Sequence, residues 1–193
     1  MYGQTEATTR IAYLPFEKLQ NKAGSIGVPI PGGDLKILNQ NEKEITKSFT
    51  EGEIFYKGKN VMVCYIQCRK DLIKERTNNY GLKTGDLGYF DNDNYFYITG
   101  RKKRIIKIYG HRISLDQLQS FLLSKNITNA CIGNNNLLYI FTISDKFENE
   151  KIIKLINTFI NVNISKFIKF IMIKSLPITN SGKIQYYKLY EYI

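Results

Sequence analysis

Residues 100–113 read GRKKRIIKIYGHRI, and the sequence changes character across them. The chain has 193 residues and a formal net charge of +11. Residues 1–100 hold 13 Lys/Arg against 12 Asp/Glu, a balance of +1; residues 101–193 hold 15 against 5, a balance of +10. The densest cluster, Arg101, Lys102, Lys103, Arg104 and Lys107, lies inside the quoted stretch. A step of this size within one chain predicts two domains, residues 1–102 and residues 103–193.

On the N-terminal side the rhythm is strand and turn. DLKIL at 34–38 follows a PIPGG turn, EIFY at 53–56 lies between Gly52 and Gly58, and residues 87–90 and 95–99 flank the polar tetrapeptide DNDN at 91–94. Short β-branched and aromatic runs separated by turns predict a small antiparallel sheet or barrel. On the C-terminal side a strand at 105–109 ends at Gly110. Ser114 then reads as a helix N-cap with Gln117 three residues on, and Leu115, Leu118, Phe121 and Leu122 follow at helical spacing. Strands at 130–133 and 137–143 bracket Asn134–Asn136, a second amphipathic helix covers 150–161, and a last strand covers 167–173. The fold class predicted is α+β: a β-rich, barrel-like piece followed by a small α+β domain.

Composition removes several function classes. With 43% hydrophobic and 13% aromatic residues the chain can bury a core, which argues against a disordered tail. Three cysteines, Cys64, Cys68 and Cys131, make no disulfide framework, and no apolar run approaches the ~20 residues that span a bilayer. These features predict a reduced, cytoplasmic protein without membrane insertion. The charge by itself points to nucleic acid, an acidic lipid surface or a polyanionic substrate, or to a lysine-rich solvated surface.

Four segments stand in order: Tyr2-Gly3-Gln4-Thr5-Glu6, Thr84-Gly85-Asp86, the 100–113 stretch, and PITNSGK at 177–183. Singly, TGD or SGK carries little information. In this order, with GSIGVPIPG at 24–32 and GKNVMVCY at 58–65, the chain resembles the C-terminal portion of the adenylate-forming (AMP-binding) superfamily. That family comprises acyl-CoA synthetases, peptide-synthetase adenylation domains and luciferase-type ligases. The resemblance implies the end of a large AMP-binding domain over 1–102 and a mobile lid domain over 103–193. Family members are much longer. Their upstream region carries a Ser/Thr/Gly-rich loop ending in Lys that wraps the ATP phosphates, and most of the carboxylate pocket. Nothing in these 193 residues resembles either, so the chain reads as the tail of a longer enzyme, as a subunit that partners a separately encoded N-terminal portion, or as a gene remnant.

The reaction implied has two steps. A carboxylic acid attacks the α-phosphate of ATP to give an acyl-adenylate and pyrophosphate. A thiol, from CoA or the phosphopantetheine of a separate carrier protein, then displaces AMP. Charge builds on the phosphates, so Mg²⁺ and fixed cations are required. The resemblance gives Tyr2 to adenine stacking, Thr5 to the α-phosphate, Glu6 to Mg²⁺, and Asp86 to the ribose hydroxyls. It gives Arg101 to the ribose and phosphate side and Lys103 to the hinge. Lys107 and Gly110 belong to the loop that faces the thiol, where the lack of a Cβ lets the pantetheine arm approach backbone. Arg112 is placed near a phosphate. Lys183, on a loop that reads as flexible, is the cation that reaches the α-phosphate and carboxylate during adenylation and withdraws afterwards.

There are departures. Cys64 stands where the family usually has Gly, and Ser114 stands where peptide-synthetase domains usually carry Glu, which weakens an amino acid as substrate. His111 has no assigned role. Two other classes compete: a non-catalytic basic module for nucleic acid or acidic lipid, which explains the charge but not the ordered motifs, and a scaffold or regulatory protein derived from the ligase fold, against which the intact Thr5, Glu6, Asp86 and Lys183 argue. The favoured reading takes no nucleic acid as partner.

Overall fold

A computed structural model describes residues 1–8, 10–73, 81–134, 136–143 and 148–193. Asn135, the middle of the 134–136 turn, lies outside the described residues. The chain divides into two compact units, Met1–Lys102 and Lys103–Ile193.

In the first unit β1 (Ala12–Tyr13) pairs antiparallel with β2 (Val28–Pro29). β3 (Asp34–Leu38), β4 (Gly52–Lys57), β5 (Gly81–Phe90) and β6 (Phe96–Arg101) then form a sheet in sequence order, antiparallel throughout. Alternation fixes which face is buried: Leu35 and Ile37 on β3, Ile54 and Tyr56 on β4 point into a core shared with Ile11, Ala12 and Phe96. The segment before β2 closes on β6, where Ile26 N donates to Phe96 O at 2.8 Å and Phe96 N to Gly27 O at 3.0 Å. The DNDN turn is held from within and without: the Asp91 carboxylate accepts from the backbone N–H of Asp93 and Tyr95, both at 2.9 Å, and from Lys22 Nζ at 2.7 Å.

One irregularity in this sheet positions a functional side chain. Across β4 and β5 the register runs Glu53↔Leu87 and then Phe55↔Lys83, so residues 84–86 stand opposite Ile54 alone. Gly85, with φ +72°, supplies the left-handed turn that this bulge needs. The expected strand at 87–90 therefore begins earlier, at Gly81, and passes through the bulge.

In the second unit β7 (Ile105–Ile108) and β8 (His111–Ser114) form a hairpin. Its two-residue turn, Tyr109 and Gly110, has φ of 53° and 82°, positive at both central positions as type I′ turns require. α1 (Leu115–Ser124) follows at once, capped as the sequence predicts: the Ser114 side chain accepts from Gln117 N at 3.3 Å. β9 (Asn129–Gly133) and β10 (Leu138–Thr142) pair antiparallel, α2 (Asn149–Ile160) crosses over, and β11 (Ile168–Met172) lies parallel to β10. This three-stranded sheet is covered on both faces. Cys131, Leu138 and Ile140 pack with Leu118, Leu122, Ile152 and Ile156 from the helices; Ala130, Ile132 and Phe141 pack with Leu189 of the short C-terminal α3 (Tyr186–Leu189). Two-sided burial is why NACIG and LYIFT read as continuous rather than alternating apolar runs. The architecture is α+β, β-rich first and mixed second.

Candidate active site

The centre of the first unit's site is the Asp86 carboxylate. The bulge aims it inward, and Asp86 is only 2% exposed. Tyr2 is pinned to β1, its N–H donating to Ala12 O at 2.9 Å, and its hydroxyl donates to Asp86 Oδ2 at 2.5 Å. Gln4 Nε2 donates to the same oxygen at 2.9 Å and to the Thr84 carbonyl at 2.9 Å. Arg101, at the end of β6, sets Nε 2.6 Å from Asp86 Oδ1. The Thr84 hydroxyl donates to Ile54 O at 2.7 Å and accepts from Asp86 N at 3.1 Å, which secures the bulge. Burial, then the hydrogen bond to Asp86, pushes the Tyr2 hydroxyl above its ordinary pKa, so it remains a donor at neutral pH. Three segments far apart in sequence thus converge on one carboxylate.

Thr5 and Glu6 lie on a single 3-10 turn, Thr5–Ala7, closed by Ala7 N donating to Gln4 O at 3.0 Å. Ala7 is fully buried, and its carbonyl accepts from Asn60 Nδ2 at 2.8 Å. The turn is therefore anchored from below while the Thr5 side presents to solvent. The Tyr65 hydroxyl donates to Glu6 Oε1 at 2.5 Å and is the main reason the Glu6 carboxyl sits below its usual range. Glu6 is a hard, ionised oxygen donor, and among the described residues no group of three His, Cys, Asp or Glu side chains could hold a metal. One carboxylate suits Mg²⁺ whose other ligands are phosphates and water.

In the second unit Lys103 is exposed in a 3-10 turn, Lys102–Arg104. Lys107 and Arg112 face each other across the β7–β8 hairpin, both exposed. At Gly110 no atom lies within 4 Å of where a Cβ would stand, so glycine serves the backbone conformation and leaves the surface open. Lys183 stands on a separate turn. That turn is less loose than its composition predicts: Thr179 N donates to Lys183 O at 2.8 Å, Gly182 N to Thr179 O at 2.9 Å, Lys183 N to Thr179 Oγ1 at 3.1 Å, and Gln185 N to Pro177 O at 2.8 Å. The backbone is fixed and the lysine side chain is exposed.

Sequence reasoning assigned no role to Gln4, Thr84, Tyr65 or Arg104. Gln4 and Thr84 lie inside the quoted motifs and were within reach. Tyr65 is 59 positions from Glu6, and only the fold brings the two together.

The fold, with its buried acid between a Tyr-Gly-Gln-Thr-Glu turn and a Gly-Arg strand end, is similar to part of solved CoA synthetases. The chain is similar to the C-terminal portion of the adenylate-forming superfamily: the model of the AMP-binding enzyme family matches residues 1–66. The 2-succinylbenzoate–CoA ligase of Bacillus cereus (strain Q1) is 37% identical over 123 residues, which are 64% of this chain and 25% of the relative. The o-succinylbenzoate CoA synthetase of Bacillus subtilis, solved with its acyl-adenylate intermediate, superposes with a TM-score of 0.74 at 25% identity, covering 97% of this chain and 40% of the other. The same enzyme solved with ATP and a magnesium ion gives 0.72 at 26% identity, covering 98% and 40%. The chain thus spans a quarter to two-fifths of the length of the proteins it matches.

Proposed function

We propose that these 193 residues are the C-terminal part of an ATP-dependent, AMP-forming ligase that activates a carboxylic acid as its acyl-adenylate and passes the acyl group to a thiol, that of CoA or of carrier-protein phosphopantetheine. The observation that carries this reading is the convergence of Tyr2, Gln4, Thr84 and Arg101 on Asp86. In the proposal Asp86 receives the ribose hydroxyls. Its two oxygens already hold three donors of the roughly four that a carboxylate accepts, so a diol gains room when one leaves. Arg101 is the one able to leave, since its side chain is 58% exposed and solvent accepts it. Tyr2 then remains to hold the carboxylate oriented and to offer its ring to adenine. Thr5 is placed to donate to the α-phosphate and Glu6 to hold Mg²⁺, which neutralises charge on the phosphates when bound.

Lys107, Arg112 and Gly110 form the surface proposed to meet the thiol substrate, with Lys103 as the hinge between half-reactions. The phosphate loop and acyl pocket come from polypeptide outside these residues, so the isolated piece is proposed to be inactive. Lys183 supplies a mobile positive charge to the adenylation step. The test is ATP–pyrophosphate exchange in an enzyme completed with an N-terminal portion, against panels of fatty, aryl and amino acids. Lys183→Ala is expected to lower exchange by about 10²–10³ or more while sparing thiolysis of supplied acyl-adenylate. Undiminished exchange would sink the assignment.

A further inference from the structure

The basic run at 101–107 contains one member unlike the others. Arg104 keeps only 15% of its side chain exposed, and its guanidinium is surrounded. Nε is paired with Asp116 Oδ1 in the first turn of α1. Nη2 donates to the Cys131 carbonyl of β9 at 3.2 Å and reaches Gln119 Oε1 at 3.4 Å. The guanidinium lies over the Tyr186 ring, 3.6 Å from its centroid. Gln119 Oε1 also accepts from the Tyr186 hydroxyl at 3.2 Å and from Cys131 N at 3.3 Å. One side chain therefore ties residue 104 to α1, to β9 and to the C-terminal segment.

Tyr186 opens α3, three residues beyond Lys183. The turn at 177–185 closes on Gln185, its neighbour, through Gln185 N to Pro177 O. From Tyr186 to Lys183 the backbone is thus closely tied. The remaining anchors of this segment, Leu189, Ile184 and Leu176, are apolar and set depth rather than direction. A planar cation stacked on a ring and held at its edges by fixed acceptors sets direction, because only one orientation satisfies all of them.

We infer that Arg104 is a positioning residue for Lys183: it holds the lysine-bearing turn in fixed relation to residue 104, α1 and β9, so that the second unit carries Lys183 as part of a rigid body. This rests on the proposed role of Lys183, but the clamp can be tested without it.

The test is amide hydrogen exchange on the full chain, with the urea midpoint measured alongside. Arg104→Lys keeps the charge that faces Asp116 but loses the fork and the stack, and Arg104→Met loses all three. Both are expected to speed exchange of residues 177–189 about tenfold or more, with α2 and β10 unchanged. Tyr186→Ala is expected to match them, and Arg104→Met with Tyr186→Ala to add little to either alone, since both remove one interaction. Tyr186→Phe keeps the stack and is expected to be near the parent. Unchanged exchange at 177–189, equal acceleration throughout residues 103–193, or full additivity of the two substitutions each overturns the inference. Lys183→Ala is expected to leave the pattern as it is, because the turn's bonds are backbone and Thr179. If Lys183→Ala also leaves pyrophosphate exchange intact, the adenylation role fails while the clamp stands.

Discussion

Replacing Asp86 separates the structural work of its carboxylate from the proposed chemical work. Asp86→Ala removes the acceptor of the Tyr2 hydroxyl and of one Gln4 hydrogen bond. A part-buried donor left without its acceptor costs about 1–3 kcal/mol. Gln4 retains the Thr84 carbonyl, so the larger share falls on Tyr2. The Arg101 pair adds ~0–1 kcal/mol, because a side chain 58% exposed turns into water once its partner is gone. The expected loss is about 1–4 kcal/mol. Asp86→Asn keeps one carbonyl oxygen for Tyr2 and Gln4 and turns an amide toward a guanidinium that can move away, so about 1 kcal/mol is expected.

Nucleotide affinity should be sensitive even to the milder substitution. Charge-assisted bonds from a ribose hydroxyl are worth about 1.5–3 kcal/mol each, so losing even one by Asp86→Asn weakens AMP binding roughly 10- to 150-fold. The assays are urea unfolding, read by hydrogen exchange in residues 81–101 against residues 149–160, and AMP titration by calorimetry. Asp86→Ala within about 0.5 kcal/mol of the parent would refute the carboxylate as the hub of the first unit. Parental AMP affinity in Asp86→Asn would refute its ribose role.

Other expectations rest on single contacts. Ser114→Ala removes the α1 cap and should cost about 1 kcal/mol, read as a lower urea midpoint with exchange rising first in α1. Gly27→Ala puts a Cβ 1.8 Å from the Tyr13 carbonyl oxygen at φ +90°, so β1 must part from β2 and the variant should lose soluble expression or unfold at a markedly lower temperature. Burial pushes the Cys131 thiol up to about 12. Native Cys131 should therefore resist alkylation at pH 8 while the exposed Cys68 reacts. Its unfolded value is about 8.5, so its contribution to stability is complete below that pH and declines as pH rises toward the folded value. A Cys131→Ala variant that keeps the parent's alkaline decline would show another group to be responsible.

Much of the fold was legible because local chemistry and tertiary demand agree. DLKIL is the strand the sequence predicts, and Ser114 caps the helix as its spacing with Gln117 requires. The places that were not legible have physical reasons. β5 contains Gly81, Gly85 and Gly88, a composition that argues against a strand. Two of these glycines answer contacts far away: a Cβ on Gly88 would stand 2.3 Å from Tyr97 O, and one on Gly81 2.2 Å from the Phe55 ring. β8 buries only Ile113 of its four residues, so no alternation announces it. The motif residues were readable from order and spacing, but the hydroxyl of Tyr2 meeting a carboxylate 84 positions away was not. The turn at 177–185 reads as loose because Asn, Ser and Gly favour turns of either kind, and only its backbone bonds decide.

The charge also takes on a different meaning. A groove for nucleic acid needs several cations aimed at one surface. Of the five in the densest cluster, Arg101 is engaged by Asp86, Lys102 by Glu53 at 2.6 Å, and Arg104 by Asp116 and the Tyr186 ring. Three of these basic residues thus face three different carboxylates, two in the first unit and one in the second. Their run in sequence reflects the point where the chain leaves one unit and enters the next, with each side of the boundary fastened to its own unit. Lys103, the residue between those fastenings, is exposed. The pivot proposed at Lys103 would need such attachment immediately before it and immediately after it, so that rotation could be confined to one backbone position.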